Sequence, residues 1–339
     1  MDQKNAFLGT EPIGRLLFRL AIPTVIAQLV NMLYNIVDRI YIGHMPQVGS
    51  LALTGLGVCT PIILIVSAFA ALVASGGAPR ASISMGKGDL QTAEKMLGGC
   101  FSLQLGISAV LTAVLLIWNR DLLLAFGASG QTINYAADYM QIYAIGTVFV
   151  QLTLGMNAFI TAQGFAREGM LTVLIGAVCN IVLDPILIFK LGMGVRGAAL
   201  ATSLAAVINV LVILILARAQ KYPYLFHFKK HFRWNKKQVK IYFVKCFPII
   251  CNEVLIGVGN MVINVVLGRQ SEQAIAAIAV FRTLEGMVIS FFAGFSNAAS
   301  VLVGTCVGSG ELDAAYERAK RLVFLCGGTI LCVCLVLLG

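Results

Sequence analysis

Charged residues are scarce in this sequence of 339 amino acids. Asp, Glu, Lys and Arg make up 12% of it, whereas hydrophobic residues make up 59% and the mean hydropathy is +0.89. Soluble domains carry about 25% charged residues. This composition excludes an ordinary soluble domain and indicates a polytopic membrane protein.

Motifs that carry enzymatic or metal chemistry are also missing. The nine cysteines include no Cys-x-x-Cys pair, and the closest two are Cys332 and Cys334, so we expect neither disulfides nor a zinc site. No HExxH, GxSxG or P-loop motif occurs, and no set of His and Cys residues is paired. We therefore predict a protein that is not an enzyme and that needs no cofactor beyond a coupling ion.

Long apolar segments are what the sequence has instead. Each is about 20–28 residues long, which is enough to cross about 30 Å of hydrocarbon as a helix with some tilt. We place nine of them at 16–42, 51–79, 96–118, 133–157, 169–190, 196–217, 241–267, 275–304 and 319–339.

The distribution of Lys and Arg predicts the orientation. With the N-terminus in the cytoplasm, 19 of the 25 Lys and Arg residues fall on the cytoplasmic side and five at the outer ends. We predict a multi-pass protein of a bacterial or archaeal-type cytoplasmic membrane. The net charge of +10 does not indicate a nucleic-acid partner, because the positive charges are spread over loops. The lipid bilayer is the expected partner.

An internal repeat divides the chain. Ala21-Ile-Pro23 matches Cys246-Phe-Pro248 at a shift of 225 positions, and residues 86–93 match residues 308–315 at a shift of 222. The repeats begin at the first and seventh segments, so six helices separate them. Because six is an even number, both halves enter the membrane in the same direction, which is a parallel repeat.

This repeat defines three predicted regions. They are an N-terminal six-helix bundle (1–218), a basic cytoplasmic linker (219–240) and the first three helices of a C-terminal bundle (241–339). The predicted fold is all-α, with two six-helix bundles related by the repeat. About nine of twelve expected helices are present, so we expect the chain to be a fragment.

The first apolar segment carries a polar stripe. Its members follow one another at steps of 4, 3, 4 and 3 and therefore share one helix face; they are Thr24, Gln28, Asn31, Asn35 and Asp38. A stripe that ends in a carboxylate cannot face lipid, so it must line a protein interior or a wet cavity. Pro23, just before the stripe, removes a helical hydrogen bond and is a predicted hinge.

A second acid lies in the fifth segment. Asn180 and Asp184 are four residues apart on one face, and Asp184 reaches a depth similar to that of Asp38. The two carboxylates could share a proton, or they could hold Na+ together with Asn180. The alternative is that each acid only makes its own hydrogen bond between helices.

Several motifs along the chain together indicate a known family. The motifs that carry the resemblance are Pro12-Ile13, the stretch from Pro23 to Asp38, the Gly-x-Gly-[Asp/Glu]-Leu-x-x-Ala loop of both halves, Gln163-Gly164 with Arg167 and Met170, Asn180-x-x-x-Asp184-Pro185, and residues 197–202. With these motifs in this order and spacing, the chain resembles the multidrug and toxic compound extrusion (MATE) transporters. It resembles in particular their prokaryotic branch with an aspartate on the first helix. The resemblance implies twelve helices in two bundles, a central cavity, and cation-coupled export of organic, often cationic, compounds.

The resemblance also implies a coupling site. In that branch the aspartate of the first helix, here Asp38, takes the proton or sodium ion. Other positions that match the polar cluster or its motif are Tyr34, Asn35, Tyr139, Asn180, Asp184 and Thr202. Asn157 matches in sequence as well, although the helix count places it near the inner end of the fourth segment.

The seventh segment carries a second polar stripe. Its members are Glu253, Gly257, Asn260 and Asn264. Glu253 resembles the glutamate that other family members use in the C-terminal bundle for cation coupling or substrate binding, and Asn260 would act beside it. The alternative is a buried glutamate paired with Arg282 or with a neighbouring helix.

The predicted function is secondary active transport. We expect a monomer that exports small organic, cationic compounds by antiport against H+ or Na+. The alternative is a flippase for lipid-linked saccharides of related architecture. Such a flippase would need a cavity lined by Arg and Lys for a pyrophosphate group, and only Arg282 falls inside a predicted span.

Overall fold

The computed structural model describes the backbone of residues 13–219 and 272–338, together with scattered positions between 244 and 263. Within these ranges the chain forms nine α-helices and one π-helical turn. The helices are α1 (Ile13–Gly43), α2 (Gly49–Gly86), α3 (Leu90–Ile117), α4 (Asn119–Ala125), α5 (Ile133–Ala162), α6 (Ala166–Pro185), the π-helix Ile186–Lys190, α7 (Val195–Ala219), α8 (Glu272–Ser309) and α9 (Leu312–Leu338).

Seven of the described helices are long and apolar enough to cross a membrane, which confirms an all-helical polytopic membrane protein. Eight of the nine predicted segments correspond to α1–α3 and α5–α9, while only scattered positions of the segment 241–267 are described. We call the end of the bundle with the α1–α2 connection the upper end, and the end with the α2–α3 turn the lower end. They are the predicted outer and cytoplasmic sides.

Several helices run further at the lower end than the apolar pattern predicted. The α2 helix continues past Pro79 to Gly86, α8 ends at Ser309 rather than 304, and α9 begins at Leu312 rather than 319. Hydropathy marks the part of a helix that suits lipid. It does not mark the helix end, because polar residues at a membrane boundary continue the same backbone hydrogen bonds.

The α5 helix is at the centre of the N-terminal bundle, where it packs against α2, α3 and α7. Small residues bring these helices close together. A Cβ atom on Gly55 of α2 would lie only 3.2 Å from the backbone nitrogen of Ala136, and Gly146 of α5 faces Ser203 of α7 in the same way. Such contacts are typical of membrane helix packing, where van der Waals contact replaces the hydrophobic drive.

The apolar interior forms an upper and a lower cluster. The upper cluster includes Ile42, Leu56 and Met140, and the lower cluster includes Leu72 and Phe159. The α8 helix joins the lower cluster through buried residues such as Leu302 and also packs on α1 and α2. The first helix of the second half that the structure describes in full is therefore docked directly on the N-terminal bundle.

The sequence repeat reappears as two turns with the same backbone hydrogen bonds. Gly88 has a φ of +76° and Gly310 a φ of +83°, a conformation that glycine adopts without strain. The amide of the next residue donates to the carbonyl five positions earlier in both turns: Asp89 to Ser84 at 3.0 Å, and Glu311 to Cys306 at 3.1 Å. The two turns are equivalent at the shift of 222 positions.

Asp89 also caps α3. Its carboxylate accepts hydrogen bonds from the Thr92 amide at 3.0 Å and from the Thr92 hydroxyl at 2.5 Å. These bonds, led by the one from the hydroxyl, hold the pKa of Asp89 below its ordinary value. An aspartate in this position satisfies amide groups that the first helical turn leaves open.

Candidate functional site

A cavity of about 740 Å³ lies between α1, α2, α5, α6 and α7, with α8 along one side. Its size is in the range of pockets that hold drug-sized ligands. Hydroxyl and amide groups from all of these helices reach its wall; they include Gln28, Asn31, Asn35, Thr60, Ser67, Ser75, Thr153, Asn157, Asn180, Thr202, Asn209 and Ser300. The polar stripe of α1 therefore faces a cavity, as its spacing predicted.

Asp38 lies in the wall of the upper part of this cavity. Its side chain is only 6% exposed, and its Oδ1 atom has no hydrogen-bond partner among the described residues. Tyr34, one turn earlier on α1, and Tyr139 of α5 are close enough to interact electrostatically with the Asp38 carboxylate. The three groups predicted from the family pattern are thus together in space.

Asp184 lies behind the cavity wall rather than in it. It is fully buried and does not line the cavity, whereas Asn180, one turn earlier on α6, does. The Asn180 amide nitrogen donates to Asp184 Oδ1 at 3.5 Å and to the Thr202 hydroxyl at 3.4 Å. The predicted group of Asn180, Asp184 and Thr202 is therefore linked by hydrogen bonds between α6 and α7.

The acid groups of the two helices are close to each other. The charges of Asp38 and Asp184 interact. Within the described ranges three buried oxygen atoms of this group lack a donor: Asp38 Oδ1, Asn180 Oδ1 and Asp184 Oδ2. A buried acceptor without a donor is costly, and a proton or a small cation would relieve this cost for several of them together.

Asp184 lies at the end of α6, where the helix changes type. The α6 helix ends at Pro185, and the chain continues in the π-helical turn Ile186–Lys190. A π-turn widens the helix and is often found at functional sites. A change of helix type directly after Asp184 lets α6 end close to α7, where a Cβ atom on Gly197 would lie 2.9 Å from the Ile188 nitrogen.

Asn157 lies lower in the same cavity and has partners of its own. Its amide nitrogen donates to the Gly169 carbonyl at 2.9 Å and to the Thr172 hydroxyl at 2.8 Å. These contacts tie α5 to α6 near their lower ends. The structure therefore brings Asn157 to the cavity but not to the Asp38 group, in agreement with the depth that the helix count predicted.

Asn35 and Pro23 also have defined places on α1. The Asn35 amide nitrogen donates to the Asn31 carbonyl at 2.6 Å, and the Asn35 side chain is exposed at the cavity. Pro23 lies inside α1, which continues through it. The hinge function of Pro23 stays a prediction.

Several cavity residues have no counterpart in the sequence prediction. Asn209 of α7 lies over Gly176 of α6, and a Cβ atom on Gly176 would lie 3.0 Å from the Asn209 Oδ1 atom. Thr202 and Asn209 are seven residues apart, so a search for a stripe on α7 could have found Asn209. Arg39 and the α8 residues Ser296 and Asn297 also line the cavity. No apolar pattern marks them.

The predicted residues Glu253 and Asn260 lie outside the described residues. Asp138, at the upper end of α5, is half-exposed and accepts a hydrogen bond from Arg196 at 2.8 Å. This exposed pair contributes little to stability.

The fold is that of a polytopic membrane protein whose helices enclose a polar cavity. A family model named MatE matches residues 23–186 and 248–338, one stretch in each half. The chain belongs to this family of MATE transporters. The resemblance read from the motifs is therefore confirmed.

Known proteins similar to this chain include multidrug export proteins and an FAD transporter. The multidrug export protein MepA of Staphylococcus haemolyticus is 27% identical over 285 residues, which cover 84% of this chain and 62% of MepA. The FAD transporter of Shewanella oneidensis is 24% identical over 333 residues, which cover 96% of this chain and 71% of that protein. The chain thus spans about two thirds of the length of these relatives.

A solved structure shows the same fold. A crystal structure of a MATE protein in complex with MaD3S superposes with a TM-score of 0.87 at 23% identity, covering 98% of this chain and 75% of that one. At this identity the similarity shows the fold alone.

Proposed function

We propose that this protein exports small organic compounds across a cytoplasmic membrane by exchange against H+ or Na+, with Asp38 as the coupling group. The observation that carries the proposal is the set of buried oxygen atoms around Asp38 that lack a donor. They border a cavity large enough for a drug-sized compound. The names of the MepA relatives, which are multidrug export proteins, agree with this proposal.

The coupling follows from the position of the acids. Ions that enter from the upper side neutralise Asp38, and Asn180 extends the site to Asp184. Neutralisation removes the attraction of the site for a cationic substrate and so favours its release. The exchange requires that the ion and the substrate have different affinities for the same two conformations.

Orientation and assembly belong to the same proposal. The excess of Lys and Arg on one side supports a cytoplasmic N-terminus. We propose that the protein works as a monomer in the bilayer, with each half supplying part of one cavity. The alternative of a flippase for lipid-linked saccharides gains no support from the similar proteins, which are a multidrug exporter and a FAD transporter.

The test is transport in proteoliposomes that hold the complete gene product, with either a Na+ or a pH gradient imposed. Asp38→Asn should reduce gradient-driven efflux to the level of empty vesicles, because the amide cannot exchange a proton and attracts Na+ less. Asp138→Asn is the matched control, since Asp138 is an exposed carboxylate at the upper end of α5.

Two outcomes would contradict the proposal. Undiminished efflux by the Asp38→Asn protein would exclude Asp38 as the coupling group. Efflux that responds to neither gradient in the unmodified protein would exclude antiport. Comparing the two gradients also identifies the coupling ion.

A further inference from the structure

Only two charged side chains, Asp38 and Arg39, line the cavity in the described part of the chain. They are consecutive residues of α1 and have opposite charges. The proposed coupling mechanism uses Asp38 and leaves Arg39 without a function. A positive charge in the cavity of an exporter of cations is unexpected, because it repels the substrate that Asp38 attracts.

Arg39 differs from other arginines of the upper end in how its guanidinium is held. Arg196 donates to Asp138 at 2.8 Å, and Arg120 donates to Asn134 Oδ1 at 2.5 Å. Arg39 donates only to the Thr60 hydroxyl, a neutral group, at 3.5 Å. Among the residues that the structure describes, no ion pair joins Arg39 to a carboxylate. Its other N–H groups have no hydrogen-bond partner among the described residues, and Arg39 lines the cavity.

The chemistry of the guanidinium defines what it would bind. Its planar fork of N–H donors matches the paired oxygens of a carboxylate or a phosphate. Successive residues of an α-helix point about 100° apart, so the Asp38 carboxylate and the Arg39 guanidinium form no ion pair, although they are near enough for their charges to interact. One ligand can meet both only if it carries a positive and a negative group at separate positions.

We infer that Arg39 binds the acidic group of amphoteric substrates, a carboxylate or a phosphate monoester, while Asp38 faces their ammonium group. This inference rests on the proposed export function and narrows its substrate class. Neutral groups of the same wall are Asn35, one turn before Arg39, and Thr60, whose hydroxyl accepts from Arg39 while it donates to the Leu56 carbonyl. The cavity, with about 740 Å³, has room for a scaffold that joins the two charges.

The experiment compares matched probes on the complete protein. The probes are a fluorescent amino acid derivative with a carboxylate, its methyl ester, and the corresponding phosphate monoester. Both gradient-driven efflux and direct binding to the purified protein are measured. Arg39→Gln should lower the acid-to-ester ratio about tenfold in both measurements, the size of effect expected for hydrogen bonds to a charged group.

Two further variants test whether the guanidinium fork in the cavity sets the acid-to-ester ratio. Arg39→Lys keeps the charge but loses the fork, so the ratio should take an intermediate value. Arg120→Gln removes an upper-end arginine that does not line the cavity and should leave the ratio unchanged. Elution as a single species in size-exclusion chromatography checks that each variant is folded. The phosphate arm shows which acid the site prefers.

The outcomes separate this inference from the proposed function. An unchanged acid-to-ester ratio in the Arg39→Gln protein, with or without a loss common to both probes, would overturn the inference. Absence of gradient-driven efflux for every probe in the unmodified protein would overturn the proposed function. In that case the binding ratio still decides whether Arg39 recognises the acid.

Discussion

Buried amide side chains away from the cavity hold three helices together. Gln151 of α5 and Gln104 of α3 are both fully buried. The Gln151 amide nitrogen donates to the Val66 carbonyl of α2 at 2.5 Å, and the Gln104 amide nitrogen donates to the backbone and side-chain oxygens of Gln151. Polar side chains of this kind join membrane helices because lipid offers them no partner.

At the residue scale, Gln151→Leu should lower the free energy of unfolding by about 1–2 kcal/mol, because the Gln104 amide loses its side-chain acceptor and the Val66 carbonyl loses a donor. The double variant Gln104→Leu with Gln151→Leu should lose less than the sum of the single variants, since neither partner is then left unpaired. Thermal unfolding in detergent measures all three proteins. Additive losses would contradict the coupling.

At the scale of helices, one hydrogen bond links the halves beside the predicted hinge. Thr24 follows Pro23 on α1, and its buried hydroxyl lies 2.8 Å from the Gly294 carbonyl of α8, the nearest of three carbonyls that share its one proton; the other two, of Ala21 and Leu20, belong to α1 itself. Gly294 permits this approach, because a Cβ atom there would lie 2.6 Å from a methyl carbon of Val25. The point at which α1 lacks a helical hydrogen bond is therefore also a point of contact with α8.

Removing this hydroxyl should loosen α1 from α8. Thr24→Val keeps the size of the side chain but cannot donate, so we expect a loss of about 0.5–1.5 kcal/mol in the free energy of unfolding. Hydrogen exchange along α1 and α8 should become faster. Thr24→Ser retains the hydroxyl and is the control. Unchanged exchange in both helices would show that the contact does not hold them together.

At the scale of the whole molecule, the two equivalent turns meet at the lower end. A Cβ atom on Gly86 would lie 3.0 Å from Gly308 Cα, and a Cβ atom on Gly308 would lie 2.9 Å from Gly86 Cα. The two glycines are 222 positions apart and correspond in the repeat. A contact between corresponding residues is what a two-fold relation between the halves produces, with each half presenting the same surface to the other.

A side chain at this contact should separate the halves at the lower end. We expect Gly86→Val to lengthen the distance between spin labels on Lys87→Cys and Ser309→Cys, measured by double electron–electron resonance in a protein whose native cysteines are replaced. Gly57→Val in α2 is the control, because a Cβ atom there meets nothing within 4 Å. An unchanged distance in the Gly86→Val protein would show that the close approach is not required.

Periodicity could predict the helices and the cavity face of α1, because lipid penalises every exposed polar group and so forces Asn31, Asn35 and Asp38 onto one protected side. Helix depth, counted at about 1.5 Å per residue, likewise brought Asp38 and Asp184 to one level. It could not show that Asn180 lines the cavity while Asp184, one turn later on the same face, does not. That difference depends on which side chains of neighbouring helices cover each level of α6, which the spacing along one helix does not contain.

The sequence by itself determined the membrane fold, the parallel repeat and the family, since composition, helical period and motif order are properties of the chain alone. Only the tertiary structure decided which polar groups share one cavity. Arg39 of α1 and Asn209 of α7 look unremarkable in sequence, yet both line it together with Asp38. The reason is physical: a cavity wall is assembled from helices far apart in the chain, and their mutual packing selects the faces that meet.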